Sequence, residues 1–133
     1  KGQFFIIMDY CSGGDLYTRT PYREENAKII LRKVLSALSY MHSKNIIHRD
    51  IKYENIMFKD LSFGSDIQLI DFGLAKKNPP GEILYSRAGS VYTMAPEVFH
   101  RSGYTTKADI WSFGVVAYMM LSNEESFASE HYV

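Results

Sequence analysis

The feature that most constrains this chain is a polar stretch without hydrophobic periodicity, residues 45–56, which lies between a helical pattern and a strand pattern. Its charged, imidazole and amide side chains are His48, Arg49, Asp50, Lys52, Glu54 and Asn55. Loops held by regular elements are where catalytic and binding residues concentrate, and polar groups this dense need partners if they are buried. The pattern predicts a loop that carries chemistry.

The flanking segments show the periodicity that the loop lacks. From Ala27, apolar residues recur at intervals of three and four, which predicts a helix with one face toward a core. The members of this stripe are Ile30, Leu31, Val34, Leu38 and Met41. Residues 67–70 predict a strand, and the apolar run 4–8 predicts a buried strand that leads into a turn. Residues 107–121 are apolar almost all round, which predicts a helix buried on every side.

Composition excludes several classes of protein. The 133 residues fit one domain, and a hydrophobic fraction of 46% is enough to form a core. Lys plus Arg and Asp plus Glu each total 15, so no global basic field points to nucleic acid or a membrane surface. A single cysteine fits a reducing compartment, and the longest apolar run, 110–121, is too short to span a bilayer. We expect a cytoplasmic, intracellular chain with neither nucleic acid nor membrane as a partner.

Three short motifs occur in a fixed order: HRDIKYEN at residues 48–55, DFG at residues 71–73 and APE at residues 95–97. Their joint order and spacing resemble the catalytic loop and activation segment of eukaryotic Ser/Thr protein kinases, and the resemblance covers essentially the whole chain. It implies an α+β, protein-kinase-like fold, mainly the helical C-lobe with the hinge strand.

The same resemblance implies roles in transferring the γ-phosphate of ATP. Asp50 would accept the proton of the substrate hydroxyl or orient that hydroxyl, and Lys52 would place its ammonium beside the γ-phosphate. Asn55 and Asp71 offer the oxygen ligands that Mg²⁺ prefers. Ser90 would bridge Asp50 and Lys52, which implies Ser/Thr rather than Tyr specificity. Considered one at a time, these side chains could instead have the simpler roles of capping a turn or lying exposed to solvent.

Supporting roles follow from the resemblance as well. His48 would pack beneath Phe72, and Asp109 would accept backbone hydrogen bonds from the catalytic loop. Ser86 lies at the spacing of an activating phosphosite, and Arg49 is the type of residue that pairs with such a phosphate. We interpret His48 as a core histidine with satisfied hydrogen bonds. Asp109 could at the same time be an ordinary first-turn aspartate, and the alternative for Ser86 is a plain exposed serine.

Nucleotide binding is implied by the segment that resembles the hinge between the two kinase lobes. Met8 would be the gatekeeper, the Asp9 carbonyl and Cys11 amide would meet adenine, and Met57 would supply apolar surface beneath the ring. Asp15 could hold the ribose or an arginine of the substrate. The simple alternative for the carboxylate is a solvated position.

Substrate preference is implied by Glu54, which could hold a substrate arginine through a charge-assisted pair or lie free in solvent. Residues 11–17, 40–49 and 89–97 resemble the calcium/calmodulin-dependent group, including calcium-dependent protein kinases. The resemblance implies protein substrates with basic residues near the target Ser/Thr. Any Ca²⁺ or calmodulin regulation would act through regions not present, because the sequence holds no EF-hand loop.

The chain departs from the family pattern in what it lacks. No glycine-rich phosphate loop and no strand lysine precede the hinge-like segment, and Tyr53 replaces the usual proline. We expect residues 1–133 to form a partial kinase domain without the N-lobe and the C-terminal helices. A noncatalytic kinase-like scaffold and a small-molecule phosphotransferase are the alternatives, and the APE motif with its peptide platform argues against the second.

Overall fold

A computed structural model of the chain describes residues 2–123. Its helices are α1 (Glu24–Ser43), α2 (Pro96–Phe99) and α3 (Lys107–Ser122). Its strands are β1 (Ile46–Ile47), β2 (Ile56–Phe58), β3 (Ile67–Leu69) and β4 (Lys76–Lys77). Short 3₁₀ turns are formed by Leu16–Arg19, Tyr53–Asn55, Phe72–Leu74 and Val91–Thr93. The described residues therefore combine two long helices with small sheets, as expected for part of a protein-kinase-like fold.

Helix α1 confirms the periodicity read from the sequence. Its buried residues are Ala27, Ile30, Val34, Leu38 and Met41. Leu31 of the predicted stripe packs against the core while staying partly exposed. The buried face meets α3 and β3, and two glutamates in the first turn suit the positive end of the helix dipole. The helix therefore forms one wall of the main core.

Two antiparallel strand pairs hold the polar loop in place. β1 pairs with β4, with Ile46 opposite Lys77, and β2 pairs with β3, with Met57 opposite Gln68. The strand predicted at residues 67–70 is confirmed as β3. Because β1 precedes residues 48–55 and β2 follows them, both ends of the loop are anchored in a sheet. The partner strands likewise fix both ends of residues 70–75.

The prediction of a buried strand at residues 4–8 is wrong. No described strand pairs with this run, and its side chains are exposed, with Phe4 at 100% and Ile7 at 97%. A buried strand needs neighbours for its N–H and C=O groups and for its side chains, and residues 2–123 supply none. The backbone first joins the fold at Ser12 and Gly13, whose N–H groups donate to carbonyls of residues 58 and 59.

Helix α3 forms where the sequence predicts it, but burial on every side is wrong. Its buried residues are Ala108, Asp109, Ser112, Val115, Val116, Met119 and Met120. The opposite face is exposed, with Trp111 at 50% and Leu121 at 53%. Helix α1 and the Val91–Thr93 turn pack against the buried side of the helix. Apolar composition alone does not reveal which face has a partner. Across residues 2–123, every helix is too short or too polar to cross a membrane.

Candidate active site

The buried carboxylate of Asp109 organises the start of the polar loop. At the first turn of α3 it is 1% exposed, and it accepts the backbone N–H of His48 at Oδ2 and that of Arg49 at Oδ1, both at 2.9 Å. The Nε2 of His42, on α1, lies 2.8 Å from Oδ2. A buried carboxylate is tolerated only with such partners, so Asp109 joins both long helices to the loop.

Asp50 is the most densely hydrogen-bonded side chain of the loop. Its Oδ1 accepts the N–H of Ser90 at 2.9 Å and the Ser90 hydroxyl at 2.8 Å. Its Oδ2 lies 3.0 Å from both Asn55 Nδ2 and Lys52 Nζ. Burial raises the pKa of Asp50, but the hydrogen bonds from Ser90 and the adjacent Lys52 outweigh it and hold the pKa below the ordinary 3.8. The carboxylate is therefore ionised at neutral pH.

Ser90 also contacts Lys52, so the serine hydroxyl lies between the ammonium and the carboxylate. Lys52 Nζ donates to Ser90 Oγ at 2.8 Å. The close approach depends on Gly89, which has φ of +110°, and a Cβ there would lie 2.2 Å from the carbonyl oxygen of Arg49. Only glycine fits that contact without moving backbone. Lys52, Asp50 and Ser90 thus meet in the geometry that the family resemblance implies.

The backbone before the DFG motif is tied to the same loop. His48 is fully buried, its Nε2 lies 3.1 Å from the Ile70 carbonyl, and its Nδ1 lies 3.3 Å from the Asp50 N–H. Both contacts are satisfied by a single tautomer, with the ring proton on Nε2. The rings of His48 and Phe72 are 5.1 Å apart, and the Ile70 N–H donates to the Asn55 carbonyl at 2.9 Å. Both backbone groups of Ile70, its N–H and its carbonyl, are therefore held by residues of the polar loop.

Asp71 is brought beside this cluster by its backbone and not by side-chain contact. It has a left-handed φ of 60°, its carboxylate is exposed, and Oδ1 accepts the Gly73 N–H at 3.2 Å. No hydrogen bond in the described residues joins its side chain to Asp50 or Asn55. The structure therefore gathers four predicted residues directly and leaves Asp71 adjacent to them.

Two oxygens of this region are available to a hard cation. The Nδ2 of Asn55 donates to Asp50, while its Oδ1 takes no hydrogen bond from residues 2–123. Oδ2 of Asp71 is likewise free in that range. Residues 2–123 contain no cluster of three or more His, Cys, Asp or Glu side chains able to hold a metal. The donor set fits Mg²⁺, which keeps several waters and phosphate oxygens and needs few protein ligands.

The residues predicted to bind the nucleotide base are less organised. Met8 is 76% exposed, Asp9 is exposed, and neither contacts the polar loop. Cys11 is half-buried and its thiol donates to the side-chain oxygen of Gln68 at 2.9 Å. Asp15 Oδ1 caps the Leu16–Arg19 turn by accepting the Thr18 N–H, and its backbone bridges to half-buried Met57. The structure does not gather these five residues into one site.

Arg49 points from the loop toward the predicted phosphosite. Its Nη1 donates to Ser86 Oγ at 2.9 Å, and its Nε donates to the Leu74 carbonyl at 2.6 Å. The hydroxyl of Tyr104 donates to the Ser86 carbonyl at 2.7 Å and lies 3.3 Å from the same Nη1. Ser86 is itself exposed, so its hydroxyl is both accessible and next to a cation.

Sequence reasoning missed the contacts that tyrosines make near the site. Tyr92 donates its hydroxyl to Glu54 Oε2 at 2.5 Å. Tyr53, which occupies the expected proline position, is 2% exposed, and its ring lies 4.8 Å from that of Tyr17. The departure at position 53 was itself a signal, because an aromatic ring inside a polar loop needs an apolar pocket. No signal in the sequence paired residue 92 with residue 54.

A cavity of about 330 Å³ lies elsewhere, between the start of α1 and the turn that joins β2 to β3. Arg23, Ile29, Lys33 and Phe63 contribute to its walls. None of the predicted site residues lines it. Its size therefore does not bear on the assignment of the active site.

Residues 1–132 match the family model described as the protein kinase domain. The chain belongs to the protein kinase family. It is 42% identical over 128 residues to calcium/calmodulin-dependent serine/threonine-protein kinase 1 of Oryza sativa subsp. japonica, covering 92% of this chain and 21% of that protein. CDPK-related kinase 3 of Arabidopsis thaliana gives the same identity over the same length and shares.

A fungal relative shows the same likeness. The chain is 39% identical over 136 residues to calcium/calmodulin-dependent protein kinase cmkA of Emericella nidulans, covering 98% of this chain and 33% of that protein. The chain thus spans between a fifth and a third of the length of these relatives. The resemblance to Ser/Thr kinases of the calcium/calmodulin-dependent and calcium-dependent group is confirmed.

Proposed function

We propose that the full-length protein transfers the γ-phosphate of ATP to Ser/Thr hydroxyls of protein substrates. The single observation that carries the proposal is the Asp50 carboxylate, held between Ser90, Lys52 and Asn55 at hydrogen-bond distances of 2.8–3.0 Å. Phosphoryl transfer requires the protein mainly to position the reactants and to stabilise charge, and this cluster offers one fixed acceptor and one cation on a flexible side chain.

The hydrogen bonds of Asp50 indicate how it would receive a substrate. Four donors already occupy its two oxygens, so an incoming hydroxyl must replace one of them. Lys52 is the donor that can leave most readily, because its ammonium is on a flexible stem. If Nζ turns to the γ-phosphate, Oδ2 becomes free to orient the hydroxyl. The hydroxyl oxygen then attacks phosphorus, the bond to ADP breaks, and the proton passes to Asp50.

The low pKa of Asp50 favours an orienting role. A carboxylate that holds protons weakly removes one from an alcohol only when the new P–O bond is nearly complete. Asn55 Oδ1 and the free oxygen of Asp71 would hold Mg²⁺. When bound, that ion neutralises charge on the phosphates.

We also propose how the protein is regulated and where in the cell it acts. Two relatives have names that state dependence on calcium/calmodulin, and we extend regulation by Ca²⁺ or calmodulin to this protein. A phosphate on Ser86 would gain a charge-assisted bond from Arg49, which is already 2.9 Å away. We place the protein in the cytoplasm, with protein substrates as its partners.

A noncatalytic scaffold is the second candidate. Such a chain would bind partners without closing on ATP.

The two functions are separated by incubating the full-length protein with Mg·ATP labelled at the γ-phosphate and with matched Ser, Thr and Tyr peptides. The kinase proposal expects label on Ser and Thr and saturable binding of Mg·ATP by calorimetry. Binding without transfer, or no binding, contradicts it and favours the scaffold. Transfer to a small-molecule alcohol but to no peptide would point to the third alternative.

A further inference from the structure

Two short turns meet beside the candidate active site through one pair of side chains. Glu54 lies in the Tyr53–Asn55 turn and Tyr92 in the Val91–Thr93 turn. The Tyr92 hydroxyl donates to Glu54 Oε2 at 2.5 Å, although the two residues are 38 positions apart. The bond therefore joins the catalytic loop to the segment between the DFG and APE motifs.

Each turn is fixed relative to Asp50. Asn55, next to Glu54, is 5% exposed and donates from Nδ2 to both the carbonyl and the carboxylate of Asp50. Thr93, next to Tyr92, is 1% exposed, its N–H donates to the carbonyl of Ser90, and its own carbonyl accepts the Ser112 hydroxyl at 2.7 Å. The backbone beside Glu54 and the backbone beside Tyr92 are therefore both held in place relative to the Asp50 carboxylate, which would orient a substrate hydroxyl.

The Glu54 carboxylate has one oxygen engaged and one free. Glu54 is exposed, it forms no ion pair within residues 2–123, and its Oε1 accepts no hydrogen bond there. Tyr92 is partly buried, and burial, followed by the hydrogen bond and charge of Glu54, raises the pKa of its hydroxyl. The hydroxyl stays protonated at neutral pH and remains a donor.

A glutamate on an exposed turn normally samples many rotamers, so ordering it to bind a ligand costs conformational entropy. The Tyr92 bond removes part of that cost before any ligand arrives. The Tyr92 bond thus keeps Glu54 Oε1 in a fixed position, next to the place where the hydroxyl of a peptide substrate would lie.

We propose that Tyr92 is a positioning residue for substrate recognition, whose hydroxyl fixes Glu54 so that its free oxygen receives an arginine side chain of the substrate. The inference rests on the proposed kinase function. A guanidinium is the favoured ligand because it is always charged and presents several N–H donors to a carboxylate. Tyr92 acts through Glu54 and makes no contact with the transferred phosphate.

The test uses the full-length protein and paired serine peptides. In each pair an arginine, placed at one position near the target serine, is replaced by citrulline, which keeps the shape and loses the charge. At one position the wild type should prefer arginine by about tenfold in kcat/KM. Tyr92→Phe should lower that preference about threefold or more, through KM for the arginine peptide.

Two further variants separate positioning from a general loss of structure. Glu54→Gln should remove the arginine preference, and adding Tyr92→Phe to Glu54→Gln should change it no further, because the tyrosine acts only through the glutamate. Tyr40→Phe, exposed on α1, is the matched control and should keep the wild-type preference.

The outcomes distinguish the two levels of the proposal. If wild-type protein labels no peptide, the proposed function fails and the role of Tyr92 fails with it. If wild-type protein labels peptides but shows no arginine preference at any position, or if Tyr92→Phe keeps the full preference, the kinase proposal stands and the inference about Tyr92 is overturned.

Discussion

The polar loop at residues 48–55 and the hinge-like segment at residues 4–11 carry the two halves of the proposed ATP site, and they differ sharply in burial and in side-chain hydrogen bonds. In the loop, Asp50 and Asn55 are 7% and 5% exposed and hydrogen-bonded to each other. In the hinge-like segment, Met8 is 76% exposed. The side-chain hydrogen bond closest to it in the sequence is the one from the Cys11 thiol to Gln68.

The difference shows what each kind of segment requires. The loop forms its bonds with side chains of α3 and of the segment before APE, all within the described residues. An extended apolar run has only backbone hydrogen-bonding groups and apolar side chains, and both need neighbouring strands to pair and pack with. Within residues 2–123, the side chains around Asp50 are therefore held by hydrogen bonds, whereas the run 4–8 has no neighbouring strand.

Asp50→Asn should have the largest effect and tests whether the ordered half is the catalytic half. We expect turnover in the full-length protein to fall by about 100- to 10,000-fold, because the amide accepts the substrate proton poorly. Circular dichroism should show an unchanged fold. Asp66→Asn, a carboxylate exposed beside Lys33, is the matched control and should leave turnover unchanged. Near wild-type labelling by Asp50→Asn would remove the assignment.

Asp109→Ala should have the next largest effect and would show whether the order of the loop comes from α3. Removing the carboxylate leaves the N–H groups of His48 and Arg49 without acceptors, which should cost about 2–5 kcal/mol in the free energy of unfolding. Urea denaturation of the full-length protein measures it. Glu25→Ala, in the first turn of α1, serves as the exposed control. A stability loss no larger than that of the control would contradict the anchoring role.

Ser90→Ala sharpens the contrast by loosening the loop without unfolding it. Loss of the bridging hydroxyl should lower kcat by about tenfold, while Ser90→Thr should retain most activity. The pKa of Asp50 should rise toward 3.8, because one of the hydrogen bonds that lower it is gone. Carbon-13 NMR of the carboxyl group measures the pKa directly.

The direction of the Asp50 pKa shift determines how the free energy of unfolding depends on pH. The lowered pKa of Asp50 contributes stability that is fully present above pH 3.8 and is lost as the pH falls through the folded-state pKa. In Ser90→Ala this contribution should be smaller at neutral pH. An unchanged or lower pKa of Asp50 in the variant would contradict the bridging geometry.

Cys11→Ala should have the smallest effect, and it probes the hinge-like segment, whose side chains make few contacts. Its thiol makes one weak hydrogen bond, so we expect a loss of about 0.5 kcal/mol or less in the free energy of unfolding. Leu16→Ala, fully buried five residues later, should cost about 2–5 kcal/mol and verifies the sensitivity of the measurement. A loss with Cys11→Ala as large as that with Leu16→Ala would break the contrast between the two segments.

The sequence predicted best what periodicity and motif spacing determine. The buried face of α1, the strand β3 and the meeting of Asp50, Lys52, Asn55 and Ser90 all follow from local patterns. The roles of these residues in catalysis stay a prediction until turnover is measured.

Burial was predicted less well, because apolar composition does not identify a partner. Both the run 4–8 and the outer face of α3 are apolar, yet no described element covers them. The bond between Tyr92 and Glu54 was not predicted either, since it depends on how two distant turns face each other. Such contacts are set by tertiary packing and leave no periodic trace.

The close approach at Gly89 has a consequence for how this protein could be diversified. Because a methyl group there would collide with the carbonyl oxygen of Arg49, a library randomised at this position should return almost only the parental residue. Tyr85, four residues earlier, already carries a side chain and is 59% exposed. Attempts to retune peptide choice should therefore vary the outer part of the segment and keep the glycine as its fixed pivot.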